Sequence, residues 1–240
     1  MAKFMNNNEL FLDKYRELEN LIKHRKGQEY RGNSPVYSYV QELYRSPHLK
    51  DQLRGEKLDS IRELRNQMAH KNVDGILNIS IEAIEFLDKE IQNIQNPLSA
   101  FDICVKLKDI HYATLKSNLN KVMDTMLSYG YSHIPVLDDN KMLIGVFSEN
   151  TIFSIYKEEK NILNKENLSL NDIYDYLKIN NHQTECFTFV NEKYFVNDII
   201  KRFQNRKENN KRLTVIFVTK DGTQDSTLMG MITPYDALIK

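Results

Sequence analysis

Gly145-Val146-Phe147-Ser148-Glu149-Asn150-Thr151 and Gly230-Met231-Ile232-Thr233-Pro234-Tyr235-Asp236 share one pattern. A glycine is followed by two apolar residues, a hydroxyl residue and, three positions on, a second polar group. Each stretch closes an apolar run and opens an amphipathic segment. An internal repeat constrains a fold more than any local signal, because both copies must form the same supersecondary unit. A hydroxyl at a strand end, with a polar partner three residues later, is also able to hold the two hydroxyls of a ribose.

The repetition extends upstream. His133-Ile134-Pro135-Val136-Leu137, the turn residues Asp138-Asp139-Asn140 and Met142-Leu143-Ile144 read as a β-hairpin. Arg212–Val218, Asp221-Gly222 and Thr227-Leu228-Met229 read as a second, with a longer loop. A helical pattern precedes each hairpin. In the first, Asn118 can cap, and Leu119, Val122, Met123, Met126 and Leu127 form a stripe. In the second, Asn191 can cap, and Phe195, Ile199, Ile200 and Phe203 form the stripe. Short strands are expected before both, at Tyr112–Leu115 and Cys186–Val190. The unit is β-α-β-β-α, twice.

Residues 1–97 read as all-helical. Phe11, Tyr15, Leu18 and Ile22 recur at helical spacing. Ser34-Pro35 reads as a cap with proline at the first helical position, leading into Val36, Val40, Leu43 and Tyr44. Ser46-Pro47 restarts the chain, and Ile61, Leu64 and Met68 mark a helix ending near His70, before a polar loop at Lys71–Gly75. Ser80 can cap a last helix carrying Ile84, Leu87, Ile91 and Ile94, which Asn96-Pro97 ends. The expected fold class is α+β, an all-helical N-terminal bundle followed by two repeats. The expected domains are 1–97, 98–160 and 161–240, with a Lys-, Glu- and Asn-rich connection over 157–171.

Composition removes several function classes. The charges balance, 33 basic against 33 acidic, which argues against a chain devoted to coating nucleic acid or anionic membrane. The basic run from Lys201-Arg202 through Arg206-Lys207 to Lys211-Arg212 reads first as a solvated helix face and loop. There is no phosphate-binding loop of Walker type, no nucleophile elbow and no metal-ligand spacing among the six histidines, so no metal site is expected. No stretch approaches the roughly 18 apolar residues of a membrane span. Cys104 and Cys186 sit among apolar neighbours, as buried reduced thiols do, and the expected location is the cytoplasm.

The repeated unit resembles the CBS domain, a small nucleotide-sensing module that works in tandem pairs. Ser132–Val136 with Gly145–Ser148, and Lys211–Val215 with Gly230–Asp236, carry the resemblance over residues 101–240. It implies two repeats packed sheet to sheet, with clefts for an adenosine-type ligand: AMP, ADP, ATP or S-adenosylmethionine. Carried over by position, Thr233 and Asp236 match the ribose motif of the second cleft. In the first, Ser148 matches, but Thr151 stands where an aspartate is expected. A threonine lacks the charge-assisted bonds a carboxylate gives a diol. Lys211 and Arg212, and in the first repeat Ser132 and His133, stand where phosphate contacts are expected. A plainer reading stays open beside this one. Thr233 can simply cap a helix starting at Pro234, with Asp236 favoured in its first turn, and His133 can be a strand residue at a cleft edge.

Arg65-Asn66-Gln67-Met68-Ala69-His70 resembles the Arg-polar-x-x-x-His motif of HEPN domains, helical bundles whose active members are metal-independent endoribonucleases working as dimers. That resemblance covers about residues 8–96 and implies catalytic roles for Arg65, Asn66 and His70. Histidine near neutral pKa can move the 2′-hydroxyl proton of RNA, and arginine can stabilise the phosphate transition state. Alternatively, Arg65 pairs within its helix, for example with Asp59, and His70 caps the helix end. Together these readings describe a homodimeric regulatory protein. Its repeat pair senses an adenine nucleotide or related ligand and controls the helical domain, which is either a ribonuclease acting on RNA or a non-catalytic dimerisation and partner-binding module.

Overall fold

Phe11, Tyr15, Leu18 and Ile22 all lie on the buried face of α1 (Asn7–Lys26). In this computed structural model the described residues are 6–26, 34–46, 48–70, 78–159, 167–205, 207–208 and 210–239. The side chains of residues 70, 207, 208, 238 and 239 are outside that description. Pro47, the loop expected at Lys71–Gly75, the middle of the 157–171 connection and Arg206 also lie outside it. The architecture is α+β, divided into two compact units, Met1–Pro97 and Leu98–Lys240.

In unit 1 the described residues form α1, α2 (Pro35–Tyr44), α3 (Leu49–His70) and α4 (Ile81–Gln95). Ser34 caps α2 by accepting the Tyr37 N–H at 3.3 Å, and Pro35 opens the helix. Helix α1 packs on α4, and α2 on α3. Val36, Val40, Leu43, Leu58, Ile61, Ile84, Leu87 and Ile91 join the α1 stripe in one core. Tyr44 is exposed. That core also holds a charge. Glu90, on α4, is 1% exposed. Arg54 meets it with Nε on Oε1 at 2.8 Å and Nη2 on Oε2 at 2.7 Å. Arg54 also donates to Asp51 at 2.6 Å and to the Tyr39 hydroxyl at 3.1 Å. Burial first, then the Glu90 charge, pushes the Tyr39 phenol up to about 12.

Unit 2 contains both repeats, built crosswise. After α5 (Ala100–Ile103) and β1 (Val105–Lys106), the first repeat comprises α6 (Leu119–Tyr129), β2 (His133–Leu137), β3 (Leu143–Ser148) and α7 (Glu149–Glu158). A 3-10 turn (Leu170–Ile173), α8 (Tyr174–Leu177) and another 3-10 turn (Ile179–Asn181) lead into the second. Its elements are β4 (Glu185–Asn191), α9 (Val196–Gln204), β5 (Lys207–Glu208), β6 (Lys211–Thr219), β7 (Leu228–Ile232) and α10 (Pro234–Ile239). The sheets run β1-β7-β6-β4, with β5 also on β6, and β2-β3.

Strand β1 precedes the first repeat yet pairs with β7 of the second, Val105 opposite Met231. Ser99 opens α5 with a capping box to Asp102 and bridges to Phe195, at the start of α9. The Ala100 N–H donates to the Tyr194 carbonyl at 2.7 Å. The other lead-in mirrors this. Ser169 forms a capping box with Asp172 and bridges to Asn118, at the start of α6. The Leu119 N–H donates to the Leu168 carbonyl at 2.8 Å. Leu168, Leu170, Ile173 and Leu177 therefore fill the first repeat's core, while Ala100, Ile103 and Cys104 fill the second's. A third cluster, Leu137, Leu143, Val146, Phe187, Val215, Phe217 and Leu228, joins residues of both sheets.

Both motif glycines sit where the exchanged lead-ins touch. A Cβ on Gly230 would lie 2.5 Å from Cys104 Sγ and 2.6 Å from the Val105 carbonyl. On Gly145 it would lie 2.7 Å from the Leu177 carbonyl.

Several local expectations change. The strand expected at Tyr112–Leu115 shrinks to one parallel bridge, Ala113 to Val136. Asn191 does not cap α9. Its Oδ1 accepts the Lys193 N–H at 3.0 Å in a turn, and the helix starts later, with Phe195 at the cap position. Phe195 is therefore exposed rather than in the stripe. Leu127 is exposed as well, because one residue past Met126 the helix has rotated about 100° away from the core. Asn118 does cap α6, accepting the Lys121 N–H at 3.2 Å.

Candidate functional site

The two sequence motifs become the same local structure. At the end of β7, Thr233 donates from Oγ1 to Asp236 Oδ2 at 2.7 Å, and its N–H reaches the same oxygen at 2.9 Å. Thr233 Oγ1 accepts the Asp236 N–H in return, at 3.4 Å. This is a capping box with aspartate at its third helical position. Both residues remain partly exposed. At the end of β3, Ser148 and Thr151 form the corresponding box, Ser148 Oγ accepting the Thr151 N–H at 3.3 Å and Thr151 Oγ1 accepting the Ser148 N–H at 3.0 Å. Here both residues are buried.

The difference is a residue absent from the sequence reading. Glu185, the first residue of β4, is 1% exposed and lies beside Ser148. Four side chains converge on its carboxylate. Ser148 Oγ donates to Oε1, His182 Nδ1 lies 3.0 Å from Oε1, His133 Nε2 lies 3.1 Å from Oε2, and Asn150 Nδ2 donates to Oε2 at 2.9 Å. Burial alone would push the carboxyl up. The bonds from His133, His182, Ser148 and Asn150 outweigh it and hold Glu185 well below the ordinary value of 4.5. The outer nitrogens of the two histidines differ. His133 Nδ1 faces the Ser132 hydroxyl at 2.8 Å, which is able to donate. His182 Nε2 faces the Leu177 carbonyl at 3.3 Å, a pure acceptor. Both histidines thus turn one ring nitrogen to the Glu185 carboxylate, and each has a polar partner at the other.

The structure thus brings Ser132, His133, Ser148 and Thr151 together at one place, and Thr233 with Asp236 at another. Lys211 and Arg212 join neither pair in the expected way. Ile216 of β6 pairs with Ile232, the last residue of β7, so Thr233 stands level with Val215. Lys211 and Arg212 are four and three residues further along, about 13 and 10 Å at the rise of a strand. Arg212 is paired in register with Glu185, and Lys211 Nζ reaches the Asn180 carbonyl at 3.5 Å. Both lie nearer the first repeat's cluster than the Thr233–Asp236 pair. Beside that cluster opens a cavity of about 680 Å³, lined by Asn150, Thr151 and His182 and by carboxylates that include Glu158, Glu159 and Asp172.

Residues 102–158 match the family described as the CBS domain. The matched span runs from α5 through α7, and the second repeat lies beyond it. No curated protein matches the sequence. Among solved structures, CBSX2, a CBS-pair protein from Arabidopsis thaliana, is 14% identical at a TM-score of 0.42, over 59% of this chain and 92% of that one. CBSX2 is also known in complex with AMP. The CBS domain of a bacterial CNNM/CorC family Mg2+ transporter in complex with ATP is 16% identical at 0.40, over 58% and 84%. A conserved protein domain of unknown function from Neisseria meningitidis MC58 is 14% identical at 0.44, over 76% and 99%.

In unit 1, Arg65 and Asn66 lie on α3, with Arg65 Nη1 3.4 Å from Asn66 Oδ1. The Arg65 guanidinium sits 5.4 Å from the centre of the Tyr15 ring. Asp59 is engaged by Arg62 at 2.7 Å, so the ion pair considered for Arg65 is made by another residue. The backbone of His70 ends α3, and its side chain lies outside the described residues. Among the described residues no group of three His, Cys, Asp or Glu is placed to hold a metal ion, and no helix is long and apolar enough to cross a membrane.

Proposed function

We propose that unit 2 is a ligand-sensing regulatory module that binds an adenine nucleotide or adenosine derivative at the second cleft, with Asp236 and Thr233 on the ribose diol. One observation carries this reading. The Asp236 carboxylate is held by Thr233 just after β7 in a partly exposed residue, while the matching position in the first repeat is the buried Thr151. Both described bonds to the Asp236 carboxylate use Oδ2. A carboxylate anchored through one oxygen can offer the other to a vicinal diol. Calorimetry with AMP, ADP, ATP and S-adenosylmethionine tests the reading, and failure of all four to bind would remove it.

In this reading the helical unit is the output, and the chain acts as a homodimer. Ligand binding alters the output only if the ligand favours one arrangement of the protein over another. The catalytic version makes the helical unit a metal-independent ribonuclease through Arg65, Asn66 and His70. Its support is the hexapeptide and the Arg65–Asn66 contact on one helix. The alternative output is a partner-binding or dimerisation surface. A monomer in light scattering at micromolar concentration would count against the homodimer and against the catalytic version.

A further inference from the structure

The four groups around Glu185 form the donor set expected of an anion site: two imidazoles, a hydroxyl and an amide. They come from β2, from the junction of β3 and α7, and from the turn just before β4. One of them is Ser148, the hydroxyl that marks the first repeat's ligand position in the ribose-motif reading, on which this inference rests. The anion they hold belongs to the chain. We infer that Glu185 permanently occupies the first cleft as an internal anion and closes it to nucleotide, so each chain takes up one nucleotide and not two.

Three observations support this. The Ser148 hydroxyl, needed for a ribose, is already donated to Glu185. The carboxylate is 1% exposed with both oxygens bonded, so an incoming diol would have to break several charge-assisted bonds at once. The adjoining cavity adds Glu158, Glu159 and Asp172, and a phosphate entering there would meet further negative charge. At the second repeat, the residue level with Thr233 is Val215, an apolar side chain where the first repeat has His133. That cleft has no corresponding imidazole.

Two measurements test the inference. The first is nucleotide stoichiometry of the wild-type chain, expected to be at most one per chain and lost in Asp236→Ala. Two equivalents, or uptake that survives Asp236→Ala, would overturn it. The second is chemical rescue. Glu185→Ala removes a fragment the size of acetate and leaves the four donors facing the space. Acetate is expected to raise the melting temperature of Glu185→Ala by about 2–4 °C over chloride at equal ionic strength, with no such effect on wild type. No difference between the two salts would overturn the inference. A variant that stays unfolded in both salts would count equally against it, because an anion of the same chemistry would have failed to refill the site. If wild type binds no nucleotide, the second-cleft reading fails, and the acetate result still decides the fate of this one.

Discussion

Arg54 and Glu90 meet edge to edge, two parallel bonds of 2.8 and 2.7 Å joining a guanidinium on α3 to a carboxylate that is almost wholly buried on α4. Asp51 and the Tyr39 hydroxyl satisfy further edges of the same group. A pair enclosed in this way favours one arrangement of α2, α3 and α4. Glu90→Ala leaves the arginine without its main partner and is expected to cost roughly 3–5 kcal/mol. Urea unfolding reads the loss, and a change below about 1 kcal/mol would mean that the pair is solvated in solution.

The motif glycines are predicted to tolerate no side chain. Gly230→Ala forces a methyl against Cys104 Sγ and the Val105 carbonyl, and Gly145→Ala forces one against the Leu177 carbonyl. Each should destabilise unit 2 by about 1–3 kcal/mol through overpacking. A melting temperature unchanged in both variants would show that the lead-ins move aside freely.

The Asp236 carboxylate has two separable duties. Asp236→Asn retains a side-chain oxygen for the Thr233 N–H and hydroxyl, so the melting temperature should barely move. The charge-assisted bond to a ribose is lost, and affinity for the nucleotide should fall by about 10- to 100-fold, the scale of roughly 1.5–3 kcal/mol. Equal calorimetric affinity in wild type and variant would leave Asp236 as a helix cap alone.

Acid should act on unit 2 through Glu185. Its carboxyl is held below the ordinary 4.5 in the folded protein, so the folded state binds this proton less readily than the unfolded chain. The resulting stability is fully present above about pH 4.5 and is lost progressively as the pH falls through and below that value. Urea midpoints at pH 7, 5, 4 and 3 should drop more steeply for wild type than for Glu185→Gln, which cannot ionise. Parallel curves would remove Glu185 from the acid response.

If the helical unit is a nuclease, purified protein should cleave RNA in EDTA and leave 2′,3′-cyclic phosphate ends. His70→Ala should then lower the rate by about 10²- to 10⁴-fold, the usual effect of losing a general acid–base group. Arg65→Ala should act similarly, and Asn66→Ala less. Equal cleavage by wild type, Arg65→Ala and His70→Ala would identify a contaminant. No cleavage by any of them, with or without nucleotide, would leave partner binding as the output.

The parts of this fold that sequence exposes are those with local causes. Ser34-Pro35 and Asn118 act within one helical turn, and their caps form where the pattern puts them. The Thr233 and Ser148 motifs likewise recur as capping boxes. Asn191 misleads because a turn through Lys193 uses the side chain that would otherwise cap. Glu185 gives little local signal, since only His182, three residues before it, is a near neighbour in sequence. It is one acidic residue at the start of a strand, and its partners arrive from positions 133, 148, 150 and 182. The crosswise lead-ins leave a faint trace in Ser99-Ala100-Phe101-Asp102 and Ser169-Leu170-Asn171-Asp172, matching serine–aspartate boxes outside the segments compared for repetition.

Synthesis runs from the N-terminus, and unit 2 is not assembled in that order. When residues 98–158 have emerged, Ala113, Val122, Met126 and Phe147 still lack Leu168, Leu170, Ile173 and Leu177, which are made later. Ala100, Ile103 and Cys104 meanwhile wait for strands translated later still. The nascent first repeat is a half-roofed core with one sticky lead-in, exposed for as long as the rest of the chain takes to appear. Two chains emerging side by side can each supply the missing piece to the other, so an interlocked dimer is the assembly error that this connectivity invites.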